Sequence, residues 1–241
     1  MLGGSSPAKY TYFVAILYIV GTPIGNLGDI TFRAVETLKS VDLIACEDTR
    51  QTLKLLNHLG IKARLISVHS HNEGPGAEKV IRALDDGQNV AYTSDAGTPA
   101  VSDPGAVLAR LAAGAGHDVI PIPGPSAFAS LVSVAGGFDK TVVFEGFLSP
   151  KPGRRRSRVK ELLESEAAFV LYESPFRIVK LLEDIADLDS ERYVCIGREM
   201  TKLYEEYLRG TAAEVLSELS GRDKQLGEFS VFVSGKKKLN I

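Results

Sequence analysis

Between Tyr12 and Val134 short apolar runs alternate in strict order with stretches of helical periodicity. That rhythm makes βαβ units, which wind into a parallel sheet with helices on its faces. The runs are Tyr12–Val20, Leu43–Cys46, Leu65–Val68, Asn89–Tyr92 and Val119–Ile122. Between them, Ile30, Ala34, Leu38 and Val41 form a helical stripe that Asp29 can cap. A short helix to Leu59 is stopped by Gly60. Further helices are expected over Ala77–Asp86, ended by Gly87, over Ala106–Ala115, and over Ala127–Val134 with Ser126 as its cap. Asp103 is placed to cap the helix that starts near Ala106, with Pro104 in its first position.

The rhythm changes at Gly136-Gly137-Phe138-Asp139. Strands are expected at Val142–Phe147, Phe169–Tyr172, Tyr193–Ile196, Tyr204–Arg209 and Phe229–Val233. Helices are expected at Arg177–Leu188 and Ala212–Leu219, and Pro150–Lys160 reads as a basic loop entering another. No clean βαβ order survives here, so the second sheet is expected to be mixed. The fold reads as two α/β domains: a leader over 1–15, an N-terminal parallel-sheet domain over 16–137 and a C-terminal mixed-sheet domain over 138–241. The 241 residues suffice for both. Met1–Lys9 reads as a loose leader, and Lys236-Lys237-Lys238 as a solvated tail.

Tyr12–Val20 is too short to span a bilayer, which takes ~20 residues. By length it fits the apolar core of a signal peptide, but no early basic segment precedes it, and its β-branched and aromatic content favours a buried strand. Cys46 and Cys195 are far apart in or beside apparent strands, as expected of a reducing cytosolic protein. No membrane association is expected. The net charge is −2, so an anionic partner must be met by a local patch.

Three strand-to-helix loops are rich in glycine and proline: Gly21–Asn26, Thr93–Gly105 and Pro121–Ala127. In open α/β sheets ligands bind outside the carboxyl ends of strands. Small residues admit close approach of a ligand, and prolines fix the loop. The second loop holds two carboxylates and four hydroxyls. Its Asp95 can accept hydrogen bonds from a ligand hydroxyl or ammonium; the competing use is a loop tie. Glu47-Asp48-Thr49-Arg50 stands at the same edge, open equally to ligand binding and to capping of the next helix. The first loop has neither a Walker lysine nor the G-x-G-x-x-G spacing, and no G-x-S-x-G elbow occurs. His69, His71 and Glu73 have no second cluster to complete a metal site, so no metal is expected. Lys151–Lys160 carries six basic residues and no acidic one, the footprint of a phosphate backbone or of a solubilising loop. No aromatic residue interleaves it, so it would position RNA without reading sequence.

Six blocks carry a resemblance: Leu17–Leu27, Cys46–Arg50, Ser94–Pro99, Pro123–Ala127, Tyr172–Arg177 and Arg198–Lys202. In this order they resemble the bacterial small-subunit ribosomal RNA (cytidine-2′-O)-methyltransferase family, within the tetrapyrrole-methylase-like class of S-adenosylmethionine enzymes. The resemblance runs from about Leu17 to Ser234. It implies a cofactor folded into a cleft between two α/β domains, a homodimer, and a cytoplasmic enzyme. The implied target is a cytidine of 16S ribosomal RNA at the decoding centre of the small subunit. Tetrapyrrole methylases commonly read Gly-Asp-Pro where this chain reads Ser94-Asp95-Ala96, a departure that fits the RNA-modifying branch.

By motif position the resemblance places S-adenosylmethionine against Pro23, Thr93, Ser94, Asp95, Ala96, Thr98, Val101, Ser126, Ala127, Tyr172, Glu173, Gly210 and Glu228. The basic run supplies the expected RNA contacts, Lys151, Arg154, Arg155, Arg156 and Arg158, to which Arg177 is added. A sulfonium methyl is already activated, so catalysis is mainly alignment of a ribose hydroxyl, aided by a proton acceptor or by a cation beside the developing alkoxide. Lys202 is expected near that hydroxyl, with Glu199 and Arg198 orienting it. Two other readings stay open: methylation of a tetrapyrrole or other small molecule, and a ribosome-assembly factor without catalysis.

Overall fold

The computed structural model describes residues 15–69, 73–136 and 141–236. Residues 1–14 of the expected leader, His71, the Gly137–Asp139 part of the boundary and Lys237–Lys238 lie outside the described residues, while Ala15 belongs to the first core. The chain forms two compact units.

The first unit contains β1 (Ile16–Val20), α1 (Phe32–Ser40), β2 (Leu43–Cys46), α2 (Thr49–His58), β3 (Leu65–Ser67), α3 (Glu73–Asp85), β4 (Val90–Thr93), α4 (Ala106–Gly114) and β5 (Asp118–Ile122). Every strand pair is parallel, in the order β3-β2-β4-β1-β5. β2 and β4 are buried at all four positions, as strands covered on both faces must be. Leu17, Leu43, Val90 and Tyr92 pack with Val80 and Leu84 of α3 and Leu108 and Ala112 of α4. β1 and β4 are neighbours whose onward connections leave in opposite directions along the sheet, toward β2 and toward β5. The carboxyl ends of β1 and β4 therefore form the topological switch point, where such sheets bind ligands.

The second unit contains α5 (Ala127–Ala135), β6 (Val142–Phe147), α6 (Pro152–Glu164), β7 (Ala168–Glu173), α7 (Ile178–Leu188), β8 (Tyr193–Arg198), β9 (Glu206–Thr211), α8 (Ala212–Ser220) and β10 (Phe229–Val233). Its sheet runs β6-β7-β10-β8-β9, with only the first pair parallel. The strand periodicity of two is plain on β10. Phe229, Val231 and Val233 join the core beneath α6, α7 and α8, and Phe232 joins the opposite core with Leu131 of α5.

Several expectations change. The units divide between Pro123 and Gly124 instead of near residue 137, because Leu131 and Ala135 of α5 pack on the second sheet. Pro23–Ile30 also groups with the second unit. Thr31, not Asp29, caps α1, accepting from the Ala34 amide; Asp29 lies in a 3-10 turn, Leu27–Asp29. Asp103 does not cap α4. Gly105 holds that position at φ 129, and a Cβ there would stand 2.6 Å from the Tyr92 ring. The basic segment Pro150–Lys160 is not a loop but largely the first turns of α6.

Candidate functional site

At the switch point of the first unit, two loops are pinned by their backbones. Thr22 and Gly97 exchange hydrogen bonds of 2.8 and 3.1 Å, which closes the β1 and β4 exits against each other. The turn that permits this has Gly97 at φ 78 and Ala100 at φ 64. Ala100 is a non-glycine residue in the left-handed region, a local strain of the kind that collects at ligand loops.

The side chains of this edge divide into spent and available. Thr93 and Ser94 are buried; Thr93 Oγ1 lies 3.4 Å from Thr52 Oγ1, and the Ser94 hydroxyl donates to the Ala96 carbonyl. Only their backbones face a ligand role. Asp95 is exposed and accepts the Asp48 amide at 3.0 Å with one oxygen. Asp48 caps α2 through the Arg50 amide and binds the Arg50 guanidinium at 2.7 Å, which holds its carboxyl down at about 2. The capping reading of Asp48 is thus realised.

Three other carboxyls converge here. Burial raises Glu47, and the charges of Asp95 and Asp103 raise it further. Burial also raises Asp95 and Asp103, with Ser94 bonding Asp103 in partial compensation. A negative edge of small residues suits a cationic or hydroxyl-bearing ligand. Ala96 and Val101 are exposed and Thr98 half-buried on the same loop. No group of three metal-ligating side chains occurs among the described residues.

In the second unit the charges gather where β8 ends. Lys202 Nζ lies 3.0 Å from Glu199 Oε1 and 2.9 Å from Glu228 Oε2. Burial alone would lower the Lys202 pKa, but these two carboxylates outweigh it and leave it raised. Burial likewise opposes ionisation of Glu199, and Lys202 with the Glu228 amide overcomes it. The loop is held in an unusual shape, with Glu199 at φ 50 and Thr201 at φ 68. Glu199 accepts the Glu228 amide at 2.9 Å, and Thr201 Oγ1 accepts the Asn26 amide at 3.1 Å. Two glycines make room. A Cβ on Gly227 would meet Glu199 Cγ at 2.4 Å, and one on Gly25 would meet Lys202 Cγ at 2.5 Å. Arg198 does not touch Lys202. It donates to the Leu226 carbonyl at 2.7 Å and pairs with Glu206, so it fixes the loop that presents Glu228.

The remaining expected residues take varied places. The Glu173 side chain is buried, with both oxygens on Arg177 at 2.7 Å and one also on the Ser174 amide. Arg177 also reaches the Leu148 carbonyl, so its guanidinium is largely engaged inside the unit. The Tyr172 hydroxyl accepts the Phe128 amide beside Ser126, which caps α5, and Ala127. Pro23 is buried. Gly210 lies opposite Val194, at the far end of β8 from Arg198, and is not brought to the Lys202 cluster.

Of the expected RNA contacts, Arg155 is a correction. It is 5% exposed and bonded to Asp184 at 2.6 Å, a buried tie between α6 and α7. Arg156 pairs with Asp184 and Asp187, and Arg158 with Glu145 and Glu161. The helix supplies acids from other elements that the linear run lacks. Lys151 and Arg154 alone of the six expected contacts are exposed and have no ion-pair partner among the described residues. Sequence reasoning missed the grip of Glu228 on Lys202 and the roles of Gly25 and Gly227. The signal available was the pair of glycines beside charged motifs.

The family described as Tetrapyrrole (Corrin/Porphyrin) Methylases matches residues 16–216. A protein of Borrelia garinii subsp. bavariensis named "Ribosomal RNA small subunit methyltransferase I" is 47% identical over 91% of this chain and 98% of its own. Proteins of the same name from Thermotoga maritima and Escherichia coli O157:H7 are each 45% identical, over 91% and 92% of this chain and 98% and 78% of theirs. Among solved structures, a cobalt precorrin-4 methyltransferase of cobalamin biosynthesis aligns with TM-score 0.63 at 16% identity, covering 91% of this chain and 94% of that one. The uroporphyrin-III-C-methyltransferase of Thermus thermophilus aligns with TM-score 0.63 at 18% identity, over 92% and 94%. At such identities these two structures speak to fold alone.

Proposed function

The chain belongs to the tetrapyrrole (corrin/porphyrin) methylase family, among the ribosomal RNA small subunit methyltransferase I proteins, and on that premise we propose that it methylates small-subunit ribosomal RNA with S-adenosylmethionine. The finer reading is transfer to the 2′-hydroxyl of a cytidine in 16S RNA at the decoding centre, by a cytoplasmic homodimer. Methylation of small-subunit ribosomal RNA is carried by likeness at 45–47% identity over nearly the whole length of relatives so named, and the finer reading is supported by the motif resemblance alone. No helix among the described residues is long and apolar enough to cross a membrane.

S-adenosylmethionine, when bound, supplies an activated sulfonium methyl. Its ribose hydroxyls and its ammonium suit the exposed Asp95 carboxylate and the close-approaching backbone of Thr93, Ser94, Ala96 and Thr98. Pro23, Val101, Ser126, Ala127 and Tyr172 complete the expected donor contacts.

Lys202 is assigned to the acceptor hydroxyl. Its raised pKa keeps it charged at neutral pH, so it serves as a hydrogen-bond donor to the developing alkoxide, while the hydroxyl proton passes to solvent. Glu199 and Glu228 aim the ammonium, and Arg198 holds the loop that carries Glu228. Glu173, with its oxygens on Arg177, serves the frame of this edge.

The test uses radiolabelled methyl donor and small subunits from cells lacking the modification, with the label mapped to its nucleotide and atom. The expected result is one labelled ribose, and Lys202→Met is expected to lower kcat by roughly 10²–10³ with donor affinity unchanged. Label on a tetrapyrrole alone, or no transfer, would sink the function. Full turnover by Lys202→Met would remove the role of Lys202.

A further inference from the structure

Two phenylalanines stand in water at one end of the second sheet. Phe176 is 88% exposed and Phe147 is 61% exposed. Phe147 closes β6, opposite Tyr172 of β7, and Phe176 lies just beyond the end of β7. Neither is on a loose tether. Arg177, next to Phe176, donates to Glu173 and to the carbonyl of Leu148, next to Phe147. One guanidinium thus pins the backbone beside both rings. The Phe147 ring also meets the Tyr172 ring, with centroids 5.7 Å apart at 68°.

Cations stand close by in sequence. Lys151 and Arg154, at the start of α6, are exposed and have no ion-pair partner among the described residues, whereas Arg155, Arg156 and Arg158 are paired. Register places all of this at the sheet end that holds Lys202. Glu173 of β7 faces Phe229 of β10, which faces Arg198 of β8. From β6 to β8 is three strand spacings, roughly 14 Å.

We propose that Phe147 and Phe176 form a stacking platform for unpaired bases of a single-stranded RNA segment, whose phosphates are met by Lys151 and Arg154. The proposal rests on the RNA-methylating function above and deepens it: the acceptor nucleotide is presented to Lys202 by neighbours held on this platform. Aromatic faces stack on any base, and unpaired cations supply the electrostatic half of single-strand binding. Charge favours RNA over a second copy of this chain. A twofold contact through this face would bring Lys151 and Arg154 toward their own equivalents.

The test measures binding of a labelled oligocytidylate to the full chain across a salt series, beside methyl transfer to small subunits. Phe176→Ala and Phe147→Ala are each expected to weaken oligonucleotide binding roughly 5- to 100-fold with the salt slope unchanged. Phe176→Tyr restores binding. Lys151→Gln and Arg154→Gln each reduce the salt slope by roughly 0.7. Donor affinity is unchanged in Phe176→Ala, Lys151→Gln and Arg154→Gln. Phe176 is so exposed that its substitution leaves folding intact, which keeps the test clean if Phe147→Ala loosens Tyr172. Alanine variants that bind the oligonucleotide like the parent overturn the proposal. So do variants that convert a dimer to monomers without altering RNA affinity per protomer, an outcome that assigns the face to a second copy. Wild-type transfer to small subunits is scored separately. Its failure sinks the function, and the platform is judged on binding alone.

Discussion

Replacing Gly227 by alanine perturbs the Lys202 cluster without substituting any charged group in it. Gly227 sits at φ 89, where a side chain costs ~1–2 kcal/mol of backbone strain. The new Cβ would also stand 2.4 Å from Glu199 Cγ and 2.7 Å from its Oε1, so the carboxylate must leave. It then loses the Glu228 amide and Lys202 Nζ. Hydrogen bonds to charged groups are worth ~1.5–3 kcal/mol each when intact, and partial exposure reduces the pair to roughly 2 kcal/mol together. The expected cost of Gly227→Ala is therefore about 3–4 kcal/mol. In a Glu199→Ala background the obstructing atoms are gone, and only the strain of ~1–2 kcal/mol remains. Urea unfolding of the four proteins closes the cycle, with a coupling of about 2 kcal/mol. Exchange of the Glu228 amide, followed in parallel, is expected to quicken in both single variants. Strictly additive costs would refute the steric argument, because they would mean that alanine at 227 never meets Glu199.

Other consequences concern charge. Glu47 has a folded pKa raised by burial and then by Asp95 and Asp103, so the folded state holds its proton more tightly than the unfolded chain does. Stability from this group is fully present below the unfolded pKa and lost as pH rises through the folded one. Glu47→Gln is accordingly expected to raise the melting temperature at pH 7.5 and to give no gain near pH 3.5, as calorimetry at both pH values can check. Arg155→Ala leaves the buried Asp184 carboxylate with only its longer contact to Arg156, at an expected cost of about 3 kcal/mol in urea unfolding. Arg154→Ala leaves stability within about 0.5 kcal/mol, while filter binding of RNA weakens.

The layered fold could be read in the sequence because strand periodicity and its punctuation are local properties. Leu43–Cys46, Val142–Phe147 and Phe229–Val233 fall where apolar patterning places them. The split between units could not be read that way. α5 follows the parallel strands in sequence, but its apolar stripe, Leu131 and Ala135, packs on strands that come later in the chain. Caps failed where the local backbone took another course. Asp103 had the right spacing for a cap, yet Gly105 holds that place at φ 129, where the Tyr92 ring leaves no room for a Cβ. At the second unit's site, the motif containing Glu199 and Lys202 was visible, whereas Glu228 is brought to it only by the pairing of β10 with β8.

The basic run shows why counting charges along a chain overstates a binding surface. A helix distributes a run around its circumference, so Lys151–Lys160 cannot face one ligand together. Position on α6 decides what each cation does. Arg155 turns inward to Asp184, Arg156 reaches Asp184 and Asp187 of α7, and Arg158 reaches Glu145 of β6. These ion pairs hold β6, α6 and α7 together beneath the sheet end where Phe147 and Phe176 emerge. Of this run, only Lys151, just before α6, and Arg154, in its first turn, have no ion-pair partner among the described residues. Removing a paired arginine should therefore be felt first as stability, and removing an unpaired one first as affinity.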